Sequence, residues 1–132
     1  MVKLKLKHVR EMFEHAGEEY PEEACGILAG RRGTVLKVYR ARNSAKNKSA
    51  EYLLDPEEQM KIFRKLEKGK MEMVGIYHSH PFHEAYPSRV DVERAFYPDC
   101  AYFIVSLKGR PAVGAFRIRQ GKIKKESITV ER

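Results

Sequence analysis

The chain has 132 residues, 42% of them hydrophobic and 33% charged, a composition that builds a single globular domain over residues 1–132 and excludes a disordered chain. Its longest apolar run, Ala101–Val105 with Leu107 just beyond, is far too short to span a bilayer, and the opening MVKLKLKHVREMFEH lacks the apolar core of a signal peptide, so a cytoplasmic protein is expected. The net charge of +8 raises a nucleic-acid or acidic-protein partner, but the basic residues are scattered without an aromatic-basic module, which favours a solvated surface.

In chain order, residues 5–19 read as a helix, with Leu6, Val9, Met12, Phe13 and Ala16 on one stripe and Gly17 and Pro21 ending it. On this reading His8 and His15 face solvent. Glu22 and Glu23 precede a short apolar strand, Ala24–Gly30, which turns through Arg31-Arg32-Gly33 into Thr34–Ala41. Residues 43–49 are polar and loop-like, and Tyr52–Leu54 reads as a brief strand. Asp55-Pro56-Glu57-Glu58 is a helix start with Asp as N-cap and Pro first inside. That helix carries Met60, Ile62, Phe63 and Leu66 and stops near Gly69. Met71–His80 reads as the central strand. A second helix start at Pro87-Ser88-Arg89-Val90-Asp91 predicts a helix to about Phe96, ended by Pro98. Three strands, Ala101–Leu107, Ala112–Arg119 and Lys122–Val130, follow as an antiparallel meander with turns at 108–110 and 120–121. Interleaved helices and strands with an antiparallel end imply an α/β domain with a mixed sheet. The two cysteines, Cys25 and Cys100, form no CxxC and are expected as free thiols in a reducing compartment, which excludes a thiolate zinc knuckle.

The densest chemistry is YHSHPFHEAYPSRVD, residues 77–91. Strand side chains alternate, so Val74, Ile76, His78 and His80 are expected on one face, with the two imidazoles side by side at the strand's end. Pro81 then turns the chain out of the sheet. If Ser88 caps the next helix, Asp91 lies in its first turn, where the helix dipole keeps a carboxylate ionised. Two imidazoles and an acid suit Zn²⁺ and leave its fourth position open, as catalytic zinc sites do. Ser-x-x-Asp also fits a plain capping box, in which both side chains only satisfy backbone N–H groups. His83 is a further candidate ligand. A hydrolase needs a base near the metal, and either Glu22 or Glu23 can aim there, since adjacent residues face opposite ways.

Together these residues resemble a known pattern. Glu23-Ala-Cys-Gly-Ile-Leu, His78-Ser-His80-Pro81 and Ser88-Arg-Val-Asp91 are similar to the JAMM (MPN+) metalloprotease motif, and the apolar stretch after Glu23 selects it over Glu22. The resemblance implies the MPN fold, a mixed curved sheet flanked by helices and related to cytidine deaminase. It implies Zn²⁺ held by His78, His80 and Asp91, with Glu23 as general base and Ser88 helping to bind the oxyanion. The implied activity is cleavage of isopeptide bonds behind the C-terminal Gly-Gly of ubiquitin-like modifiers, or processing of the C-terminus of a ubiquitin-like sulfur carrier. The chain resembles the compact stand-alone form found in prokaryotes, especially archaea, and the sequence leaves open whether it acts as a monomer or a homodimer. A zinc deaminase is disfavoured, because no Pro-Cys-x-x-Cys accompanies the histidines. Relatives without the ligands act as scaffolds, but every ligand position is filled here.

Overall fold

Eight strands form one mixed sheet in the order β7-β6-β5-β4-β2-β3-β1-β8 in the computed structural model, which describes residues 1–132. The strands are β1 (Val2–Lys5), β2 (Cys25–Arg31), β3 (Thr34–Ala41), β4 (Glu72–His80), β5 (Ala101–Ser106), β6 (Ala112–Arg119), β7 (Lys122–Lys125) and β8 (Ile128–Glu131), with helices α1 (Leu6–Glu19), α2 (Pro56–Lys68) and α3 (Arg89–Glu93). The continuous apolar runs of β2 and β5 are buried throughout except for Arg31, because helices cover both faces of the sheet centre. Met12 and Ala16 of α1 pack with Leu28, Tyr77 and Phe103 on one face. Ile62 and Leu66 of α2 pack with Ile27, Ile76 and Ile104 on the other. No helix is long and apolar enough to cross a membrane.

The α2 start is as expected, with Asp55 accepting from the Glu58 N–H and Pro56 opening the helix; Met60, however, is exposed. Several other expectations need correction. Residues 2–5 form a strand before the first helix, and that helix passes through Gly17 to Glu19. His8 and His15 are buried, not solvent-facing. The buried stripe of α1 runs through His8, Met12, His15 and Ala16, rotated from the stripe that apolar residues alone suggest. His15 Nδ1 is hydrogen-bonded to the buried Tyr77 hydroxyl at 2.7 Å, and His8 Nδ1 accepts from the Lys5 N–H at 3.0 Å. Tyr52–Leu54 makes only an isolated bridge, Asn43 with Leu54. The third helix ends at Glu93, short of Phe96.

Two differences shape the sheet. The β2–β4 register shifts between Leu28 and Ala29, so alternation breaks at Val74, which packs on the α1 face while Ile76 packs on the α2 face. Ile76, His78 and His80 keep a common face, and Val74 does not join it. The tail is also not a simple meander. Residues 122–125 pair antiparallel with β6, and residues 128–131 pair parallel with β1 at the opposite edge. The sheet curls until one short segment bridges its two edges.

Candidate metal centre

β4 is buried from Val74 to His80, and its end carries the two imidazoles beneath α3. His78 Nε2, His80 Nε2 and Asp91 Oδ2 converge. The nitrogens are 3.2 Å apart, and the carboxylate oxygen lies 3.1 Å from His78 and 3.0 Å from His80. Ligand atoms around tetrahedral Zn²⁺, with bonds near 2.0–2.1 Å, are separated by about 3.3 Å, so the three donors are already spaced for such an ion. His80 Nδ1 is 2.7 Å from the Glu84 carbonyl, which fixes its proton there and turns the Nε2 lone pair inward. The His78 ring stacks on Tyr52, with centroids 4.3 Å apart.

Electrostatics agree with this geometry. Two inward-facing imidazole nitrogens and a carboxylate at these distances favour positive charge between them, and His78 Nδ1 is buried without a protein partner. Burial resists protonation of His80, but the hydrogen bonds to Asp91 and to the Glu84 carbonyl outweigh it and raise its pKa. Burial lowers the pKa of His78 against the pull of Asp91. Burial likewise opposes ionisation of Asp91, yet His78, His80 and the Ser88 N–H hold its carboxyl well below the usual carboxylate range.

Glu23 comes to this centre through sheet register. Cys25 pairs with His78, Ser79 donates its N–H to the Ala24 carbonyl at 3.0 Å, and the Ala24 N–H donates to Ser79 Oγ at 2.8 Å. Two residues back from Cys25, Glu23 therefore lies across from His80. It is 4% exposed, and its Oε1 has no protein hydrogen-bond partner. Burial pushes its pKa up to about 8, against the favourable field of His80, with Asp91 and Glu51 adding to the rise. Ser88 accepts the Asp91 N–H at 3.1 Å, while its own N–H donates to Asp91 Oδ2 at 2.9 Å. The capping box and the convergence on His78 and His80 thus coexist, and the cap is what aims Asp91. Since Ser88 Oγ accepts from the backbone, its hydroxyl proton stays free to donate into the cleft that Ser88 lines with His80, His83, Glu84, Tyr86 and Lys108.

The structure brings together His78, His80 and Asp91 as donors, with Glu23 and Ser88 beside them. It leaves out Glu22, which is exposed, and His83, whose exposed ring only edges that of His80 at 6.2 Å. Tyr52 and Asn43 escape a reading of the sequence. A polar loop followed by an aromatic carries no periodic signal, so nothing marks either residue.

Donors poised for a cation, with a buried carboxyl next to them, are the equipment of a metal-dependent hydrolase. Residues 5–119 match the family described as prokaryotic homologs of the JAB domain, and the chain belongs to this family. It is 38% identical over 125 residues to the CysO-cysteine peptidase of Mycobacterium tuberculosis, spanning 92% of this chain and 86% of that one. It is 40% identical over 107 residues to the desampylase of Haloferax volcanii, spanning 80% and 75%. The solution structure of DSY2949 from Desulfitobacterium hafniense superposes with a TM-score of 0.90 at 34% identity, covering 99% of this chain and 93% of that one. The fold is the JAB/MPN fold that the resemblance implied, and the chain is a hydrolase of the protease kind.

Proposed function

We propose that this protein is a zinc-dependent isopeptidase of the cytoplasm that removes ubiquitin-like modifiers from proteins by cleaving after their C-terminal Gly-Gly. The observation that carries the reading is the convergence of His78 Nε2, His80 Nε2 and Asp91 Oδ2 next to a buried, unpartnered Glu23 carboxyl. The names of the relatives, a desampylase and a CysO-cysteine peptidase, support the substrate class. Zinc held by the three donors would supply Lewis acidity and acidify water at the site. Glu23 accepts the proton of the attacking water and returns it to the departing lysine amine. A nearby dication favours the carboxylate form, so Glu23 enters the reaction ready to accept. Ser88 donates its hydroxyl proton to the carbonyl oxygen as negative charge builds there, which is worth about 100-fold or more in rate.

Incubation with a Gly-Gly-tailed modifier conjugated to a lysine, with and without a chelator, tests the reading. Cleavage is expected only without chelator. Glu23→Ala should retain stoichiometric zinc and lose hydrolysis, and His80→Ala should lose the metal itself by elemental analysis. Wild-type turnover by Glu23→Ala would remove Glu23 from the mechanism.

A second reading, trimming of a modifier's C-terminal extension, is favoured by one feature. Lys108 lines the same cleft as His80 and Ser88, where an ammonium suits the free carboxylate of a small leaving group. Comparing a modifier extended by one amino acid as free acid and as carboxamide distinguishes the two. Trimming predicts faster cleavage of the acid, with the preference lost in Lys108→Ala.

A further inference from the structure

The loop between β3 and α2 grips the active side of the sheet through one buried amide. Asn43 is 8% exposed. Its Nδ2 donates to the Glu23 carbonyl at 3.0 Å and to the Glu51 carbonyl at 3.1 Å. Its Oδ1 accepts the N–H groups of Ala45 at 3.0 Å and Leu53 at 3.1 Å. Two donors and two acceptors exhaust what an amide side chain offers, and only Asn presents both at this length. The Glu23 N–H in turn donates to the Lys48 carbonyl at 2.7 Å. Both main-chain groups of Glu23 are therefore held by the loop and not by the sheet ladder. β2 begins only at Cys25, so without these bonds Glu23 is a strand-end residue free to swing. The same loop carries Tyr52, stacked on His78.

We infer that Asn43 is a positioning residue that holds Glu23 over the metal centre through the backbone of residues 43–54. The inference rests on the proposed role of Glu23 as proton carrier. The Asn43 amide bonds to main-chain groups alone and to none of His78, His80 and Asp91. Its action is geometric, because a displacement near 1 Å at a reacting group can cost about 100-fold in rate.

Asn43→Asp keeps the acceptor arm to Ala45 and Leu53 but replaces the donors to Glu23 and Glu51 with a second acceptor. Asn43→Ser shortens the side chain and adds no charge, so agreement between the two separates position from electrostatics. The readouts are kcat and KM on a Gly-Gly-tailed conjugate, zinc stoichiometry, and amide hydrogen exchange. Both variants are expected to lose about 10- to 100-fold in kcat with KM and zinc content within about twofold of the unmodified chain. Exchange at the Glu23 amide should accelerate about tenfold or more while Ile27 and Leu28 in β2 stay protected. A folded, zinc-loaded variant with unchanged kcat overturns the inference. If the unmodified chain cleaves no conjugate, the proposed function fails, and the exchange measurement still decides: unchanged protection at Glu23 in both variants overturns the inference.

Discussion

Glu23 illustrates how a single buried acid ties protonation to stability. In the metal-free protein its pKa rises from an ordinary 4.5 to about 8, mainly through burial. The folded chain therefore holds a proton that the unfolded chain releases between those values. That contribution to stability is complete below about pH 4.5 and is lost as pH rises through about 8. Glu23→Gln has no proton to lose. In chelator-treated protein it should match the unmodified chain near pH 4.5 and become increasingly more stable above it, by up to ~1.4 kcal/mol per pH unit until about pH 8. Urea midpoints across this range check the prediction, and parallel pH profiles for the two proteins would refute it. Such residues are legible in a sequence when their chemistry demands fixed spacing, as His78, His80, Ser88 and Asp91 do on adjoining elements. Asn43 and Tyr52 are not, because their roles come from contacts with Glu23 and His78 across the fold. His8 and His15 mislead because hydropathy treats imidazole as polar, whereas His15 has a buried hydroxyl to bond.

At the scale of elements, two glycines make opposite predictions from the same substitution. Gly26 lies in β2 opposite Tyr77 of β4, whose ring packs against it. A Cβ there would sit 2.3 Å from both the Tyr39 carbonyl oxygen and Tyr77 Cε1. Tyr77 is fully buried and tied to His15, so the ring cannot retreat. Gly26→Ala should cost about 2 kcal/mol or more and disturb the register that sets Glu23 across from His80. Gly17 lies inside α1, where an added methyl would meet nothing within 4 Å. Gly17→Ala should stabilise the helix by roughly 0.5–1 kcal/mol. Denaturant midpoints give both signs, and a Gly26→Ala protein as stable as its parent would mean that β2 and β4 tolerate wider separation. Helix starts and apolar strands are readable because propensity, capping and burial agree at them. The bulge at Val74 is not, since an unpaired residue follows from cross-strand register and leaves the local pattern unchanged.

The whole molecule is organised by the closing of its sheet. β7 and β8 are joined only by Glu126 and Ser127, yet they lie at opposite ends of the strand order. The Glu126 N–H still bonds to the Ala115 carbonyl of β6 at 2.8 Å, while the Ser127 carbonyl accepts the Val2 N–H of β1 at 3.0 Å. A sequence read locally sees one alternating strand from 122 to 130, because the change of partner depends on curvature summed over the sheet. The Glu126 carboxylate spans this seam, 2.6 Å from Arg117 Nε and 3.0 Å from the Met1 amino group. Hydrogen bonding from Arg117 holds its pKa below the ordinary range, with burial opposing. The resulting stability is present above the unfolded value and fades as pH falls through the lowered one. Glu126→Gln keeps the shape and removes the charge. Because both cations are partly exposed, the expected loss is modest, about 1 kcal/mol at neutral pH, and should shrink on acidification. The effect should also be local, with faster amide exchange at Val2 and Leu4 while Phe103 and Ile104 in the central strand keep their protection. Uniform acceleration would mean that the seam opens only with global unfolding. Unchanged exchange at Val2 would assign closure to the β1–β8 ladder alone and leave the carboxylate without a part in it.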